Sequence, residues 1–171
     1  MKTSIRLSIF IFGIAAIVFA CSKNEKSVPI KLMLTDNPTS YDSVNIHITG
    51  VKVKMNTDDD TWTTIQSKDT TINLLDLQNG ISMVLAQDNV PDGVLKEVRF
   101  ILGDGNYVVV DGIRHDMDTP SAETSGLKIK IDKELNETLN TFVLDFDAAL
   151  SVLEQNGSYK LMPVIKLKSW S

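Results

Sequence analysis

A single cysteine, Cys21, stands in the whole sequence. No disulfide can close within the chain, so an apolar core must hold the fold, and zinc patterns built on paired cysteines are excluded. Histidine is nearly as scarce, with only His47 and His115, and neither belongs to an H-E-x-x-H pattern. A G-x-S-x-G nucleophile elbow and a phosphate-binding P-loop are also missing. Aromatic residues make up only 6%, which leaves Tyr41, Trp62, Tyr107, Tyr159 and Trp170 as the few stacking platforms. Positive charge is in the minority, 17 Lys plus Arg against 22 Asp plus Glu. A nucleic-acid partner is therefore not expected, because phosphate contacts need a basic surface.

The N-terminus holds the one long apolar stretch. Lys2 and Arg6 precede the almost wholly apolar run from Leu7 to Phe19, and Ala20 stands just before Cys21. That order is a secretory signal. A membrane-spanning helix needs roughly 20 apolar residues, and this shorter run ends abruptly in Ser22, Lys23, Asn24, Glu25 and Lys26. "VFAC" resembles the bacterial lipobox, which makes Cys21 a lipidation site and the membrane a partner through its lipid. Each buried acyl methylene contributes about 0.8 kcal/mol, and stable anchoring takes more than one chain. "SKNEK" looks like a short polar export tag, so the expected location is the outer membrane, exposed at the cell surface. The expected organisation is a signal peptide over 1–20, a lipidated polar tether over 21–28 and one domain over 29–171. Removing residues 1–20 takes two positive charges and no negative one, leaving a formal charge of −7.

Beyond the tether, apolar residues recur with period two. Ile30, Leu32 and Leu34 alternate with polar or flexible neighbours, as do Val44, Ile46 and Ile48, and such runs read as half-buried strands. After Gly50 the apolar set moves to Val51, Val53 and Met55, a phase slip that predicts a β-bulge where the strand bends or changes sheets. Further strand-like runs are "TWTTI", "TTINLLDL", "VLKEVRFIL", "NYVVV", "LKIKI", "NTFVLDFD" and "SYKLMPVIKLKS", the last interrupted by Pro163, which points to an edge or a bulge. One short helix is expected near 147–155, with Asp147 as its cap and Gly157 beyond its end. Together these predict an all-β fold, an antiparallel β-sandwich.

Several segments in order, "LMLTDNPTSYDSVNIHITGVKV", "INLLDLQNG", "VRFILGDGNYVVVDG", "SGLKIKI" and "FVLDFDAALSV", resemble an uncharacterised lipoprotein domain family of Bacteroidota and other bacteria, a domain of unknown function. The resemblance covers nearly the whole chain after the signal. It implies an immunoglobulin-like or transthyretin-like sandwich on a lipid anchor, with carbohydrate as a suggested ligand, and no established activity.

The polar residues of those segments supply the candidate site. Asp36, Asn37, Asp42, Asp104, Asn106, Lys128, Asp145 and Asp147 are the ligand-binding candidates, since strand ends of a sandwich gather at two poles and loops there carry function. Asp145 and Asp147 share a strand face, and with Asp104 or Asn106 they offer hard oxygens suited to Ca²⁺. No D-x-[DN]-x-[DN]-G loop accompanies them, so neither a metal nor another cofactor is expected. Asp147 reads better as a helix cap, and Asp145 as the partner of Lys128 or a backbone amide. His47 has outward parity with Asn45 and Thr49, and His115 in "GIRHDMD" reads as part of a loop. No catalytic residue emerges. The expected role is a non-enzymatic binding or adhesion module with a glycan or another envelope protein as partner. The alternatives are a fimbria-like assembly subunit and a hydrolase using paired carboxylates.

Overall fold

The alternation of apolar and polar residues becomes strands packed in two sheets. The computed structural model describes residues 26–56, 61–119 and 126–171. The signal segment and Cys21 lie outside the described residues. The first sheet has the order β13 (Ile165–Trp170), β10 (Asn140–Phe146), β1 (Ser27–Thr35) and β5 (Met83–Pro91). The second is built on β2 (Ser43–Met55), with β3 (Trp62–Ile65), β4 (Thr70–Asn73), β6 (Val94–Leu102), β7 (Tyr107–Val110), β8 (Ile113–Asp118), β9 (Leu127–Glu134), β11 (Val152–Gln155) and β12 (Ser158–Leu161). The result is the expected all-β sandwich. Two of its pairings, β1 with β10 and β12 with β8, are parallel. Strand β1 begins at Ser27 and buries Val28, inside the stretch expected to be tether.

One face of the longer inner strands builds the shared core. Ile30, Leu32 and Leu34 of β1 are fully buried, as are Phe142, Leu144 and Phe146 of β10 and Val98 and Phe100 of β6. The two sheets also touch along one edge, where Ser67 bridges to Ala86 and the Lys68 N–H donates to the Leu85 carbonyl at 3.3 Å.

Strand β2 organises the second sheet. Its register with β6 shifts between Ile48 and Gly50, at the position where the hydrophobic phase slips. Asn45 faces Asn73 of β4 across one edge and Tyr107 of β7 across the other. Beyond the bend, Val51 faces Ile65 of β3 and Phe100 of β6. Strands β7 and β6 thus meet one edge of β2 in turn, while β4 and β3 meet the opposite edge. The sheet forks between Asn45 and Ile48: one branch runs through β7 to β8, β12 and β11, the other through β6 to β9.

Four segments differ from expectation, each for a local reason. The helix shrinks to one turn, α1 (Ala148–Ser151), with the Asp147 side chain accepting from the Leu150 N–H as its cap. Val152–Gln155 instead forms a hairpin with β12. Asn156 and Gly157 turn it with φ of 51° and 79°, a conformation that an Asn-Gly pair favours. Leu74–Leu77 leaves strand β4 as a 3₁₀ turn because the Asn73 side chain accepts from the Leu75 N–H. His115 lies in strand β8 rather than in a loop. Pro163 sits between β12 and β13, where the chain passes from one sheet to the other.

Candidate functional site

Half of the candidate residues do converge. The parallel register of β1 and β10 sets Thr35 beside Asp145, so the two strands end side by side and present Asp36, Asn37 and Asp147 at one pole. The Asn37 amide donates to Asp145 Oδ2 at 2.9 Å and to Asp147 Oδ2 at 3.4 Å. Asp36 Oδ1 accepts from the Ala148 N–H at 2.9 Å, and its Oδ2 accepts from Gln78 Nε2 at 3.2 Å. Burial raises the Asp36 carboxyl above its ordinary value, and the Asp145 charge adds to this, against the bonds from Ala148 and Gln78. Lys166 Nζ lies 3.4 Å from Asp145 Oδ2. Lys166, not Lys128, is therefore the cation of Asp145. The arrangement ties four chain segments together, and all three carboxylates are buried. Gln78 and Lys166 were not legible as members, because the topology that brings them here is not written in their neighbours.

Asp104 and Asn106 belong to a different cluster, on the outer face where β2 bends. Asn106 Oδ1 accepts from the His47 N–H at 2.7 Å, and its amide donates to the Gly103 carbonyl at 2.8 Å. The His47 ring spans two loops: Nδ1 meets the Asp104 carbonyl at 3.1 Å and Nε2 meets Asp69 Oδ1 at 2.7 Å. A carbonyl and a carboxylate both only accept, so only the doubly protonated imidazolium satisfies both contacts. The Asp69 bond, followed by that of the Asp104 carbonyl, holds the His47 pKa above its ordinary value. Outward parity is thus right for His47, but its ring is engaged rather than free in solvent.

That engagement has a pH signature. A histidine whose folded pKa is raised gives stability that is complete below its unfolded value and is lost as pH rises through the folded value. The urea midpoint should therefore fall across the window above the ordinary histidine pKa of about 6.5. In Asp69→Asn this component should shrink, since an amide can donate to neutral Nε2. Equal slopes for the two proteins in urea titrations over this range would refute the ion pair.

The remaining candidates lie apart. Asp42 Oδ2 accepts from the Gly112 N–H at 2.8 Å and serves the β7–β8 turn. Lys128 is exposed on β9, beside Arg99 of β6 in the other sheet. Among the described residues no set of three His, Cys, Asp or Glu side chains is arranged to hold a metal ion, and no helix is long and apolar enough to cross a membrane.

An open concavity lies elsewhere. Strands β8 and β12 pair only through Met117–Tyr159 and Asp118–Lys160. Beyond that point they diverge, leaving a groove of about 470 Å³ lined by Arg114, His115, Asp116 and Asp118 on one side and Gly157, Ser158 and Tyr159 on the other. The rings of His115 and Tyr159 meet across it with centroids 4.7 Å apart. Arg114 stacks on Tyr107 at 3.8 Å, and its Nε and Nη2 both donate to Asp116 Oδ1, at 3.0 and 2.9 Å. Exposed stacking of this kind contributes about 0.5–1 kcal/mol, enough to bias a long side chain toward one orientation. Burial, aided by Glu154, pushes the Tyr159 phenol up, so it stays protonated and keeps a hydrogen to donate. The signal for this side was present: Ile113, His115 and Met117 alternate with Arg114, Asp116 and Asp118 as in any strand.

The model of the family described as "Domain of unknown function (DUF4382)" matches residues 27–163. No curated protein and no solved structure matches the chain.

Proposed function

We propose, for a chain that belongs to this family of unknown function, a role as a lipid-anchored binding or adhesion module of the cell envelope, displayed on the outer membrane and without catalytic activity. The β8–β12 groove carries the reading. It combines a guanidinium stacked on Tyr107, the rings of His115 and Tyr159, and the carboxylates of Asp116 and Asp118 around one open space. Donors and acceptors held in fixed positions around an open groove suit the hydroxyls of a carbohydrate. Hydrolysis by paired carboxylates has less support, because Asp145 and Asp147 are buried and already bonded to Asn37. An assembly subunit finds one favourable feature, the edge position of β13, but Lys166 and Lys168 are ordinary protection for such an edge.

A glycan array probed with the full chain in detergent tests the ligand class. Glycans retained by the wild type should bind roughly tenfold more weakly to Arg114→Ala, as expected for loss of a central contact. Unchanged affinity in that variant would remove the groove from the reading. The anchor is tested separately: Cys21→Ala should neither incorporate labelled palmitate nor sediment with membranes, and continued labelling would exclude Cys21 as the lipid site.

A further inference from the structure

The outer face of the branch β3–β2–β6–β9 carries the charge sign that the chain has least of. Cross-strand register sets Lys52 beside Arg99, and Arg99 beside Lys128. Three cations thus stand directly opposite one another in one row, an arrangement that destabilises a sheet when nothing neutralises it. The next row is balanced, since Glu97 lies between Lys54 and Lys130. Asp132 likewise pairs with Lys96 and Lys130 at 3.3 and 3.1 Å. Among the described residues the first row has no such carboxylate. Neither Lys52 nor Lys128 makes an ion pair among the described residues, where the buried Arg99 Nε also has no hydrogen-bond partner.

Arg99 is also held in place. Its guanidinium lies 4.0 Å from the centre of the Trp62 ring. Gly126, at φ 67°, passes so close that a Cβ there would stand 2.8 Å from Arg99 Cγ and Cδ. The central cation of the row is therefore positioned before any ligand arrives, which lowers the ordering cost of binding.

We infer that the row Lys52–Arg99–Lys128 binds an acidic polysaccharide, whose carboxylate or sulfate oxygens are taken by the Arg99 fork and the two flanking ammonium groups. Planar guanidinium donors match the oxygen spacing of these groups. Two inter-strand spacings make the row about 10 Å long, room for more than one charged group of a linear polymer. An anionic membrane fits less well: none of the exposed large apolar side chains lies on β2, β3, β6 or β9, so nothing would enter the headgroup boundary. This inference deepens the binding-module reading by naming a ligand class. It stands on residues that the β8–β12 groove does not use, so either can fail alone.

The test measures binding of the full chain in detergent to immobilised dextran sulfate, polygalacturonate and neutral dextran, with inorganic sulfate as competitor and phosphatidylcholine–phosphatidylglycerol vesicles as a further arm. The acidic polymers should bind and neutral dextran should not, with affinity falling as salt rises. The double variant Lys52→Glu/Lys128→Glu should lose about tenfold or more in affinity while unfolding at an unchanged or higher temperature. The control Lys160→Glu/Lys168→Glu should bind these polymers as the wild type does. The proposal is overturned if the row variant binds normally or the control loses as much. It is equally overturned if neutral dextran binds equally, if only vesicles or free sulfate bind, or if no arm binds.

Discussion

Asp36→Ala should destabilise the protein by about 3 kcal/mol, the order expected when a buried donor loses its only acceptor together with a charge-assisted bond. The Ala148 N–H, buried at the start of α1, has Asp36 Oδ1 as its acceptor, and Gln78 uses Oδ2 of the same carboxylate. Alanine leaves the first donor without a partner and removes one of two bonds from Gln78 Nε2, the other going to the Asn37 carbonyl at 3.3 Å. Asp36→Asn should cost less, because its amide oxygen can still accept from Ala148. The two variants also separate charge from geometry. Since the folded pKa of Asp36 is raised, ionising it opposes folding: the penalty is absent below the ordinary carboxylate value and complete above the folded one. The stability difference between wild type and Asp36→Asn should therefore move in favour of the wild type as pH falls through that window. Urea unfolding of the three proteins gives both quantities, and a loss below about 1 kcal/mol in Asp36→Ala would mean that the pole does not depend on this carboxylate.

Phe146→Ala should be costlier still, at about 3–5 kcal/mol. Phe146 is fully buried, ends strand β10 on its core side, and lies between Asp145 and Asp147 in sequence. Its ring fills the space beneath the pole, so truncation both removes apolar contact and leaves a cavity where the backbone is already committed to hydrogen bonds. Phe146→Leu should lose less than about 1.5 kcal/mol, since most of the volume is kept. If alanine and leucine lose equal amounts in urea or thermal unfolding, the site collapses around the smaller residue and the cavity argument fails.

The strands that alternate cleanly were legible, and so was the bend in β2, because a glycine at a phase slip has a direct physical meaning. Strand β5 was not: "MVLAQDNVP" interrupts its apolar pattern with Gln87, Asp88 and Asn89, which a strand at the edge of its sheet, beside β1, tolerates. The helix was over-extended because Leu150 and Leu153 imitate helical spacing, while both are exposed and the Asn156–Gly157 turn decides the segment. Of the candidate site, Asp36, Asn37, Asp145 and Asp147 belong together because β1 and β10 are parallel neighbours, a long-range fact that no local pattern encodes. For the same reason Asp42, Asp104 and Asn106 could not be separated from them by sequence. Lys128 gains its meaning only from register, which places it beside Arg99.

The pairing of β1 with β10 joins Ile30 to Asn140 and Thr35 to Asp145. Closing it requires a loop that contains most of the chain, and the entropy of that closure must be met before any contact across it contributes. The local hairpins β7–β8 and β11–β12 carry no such cost. Their short closures are available early, whereas the first strand must remain without its parallel neighbour until β10 has been made. The order of synthesis is thus expected to run opposite to the order of completion: the acidic pole, which exists only where these two strands end together, should gain hydrogen-exchange protection later in refolding than the β7–β8 hairpin, and earlier protection would refute this order.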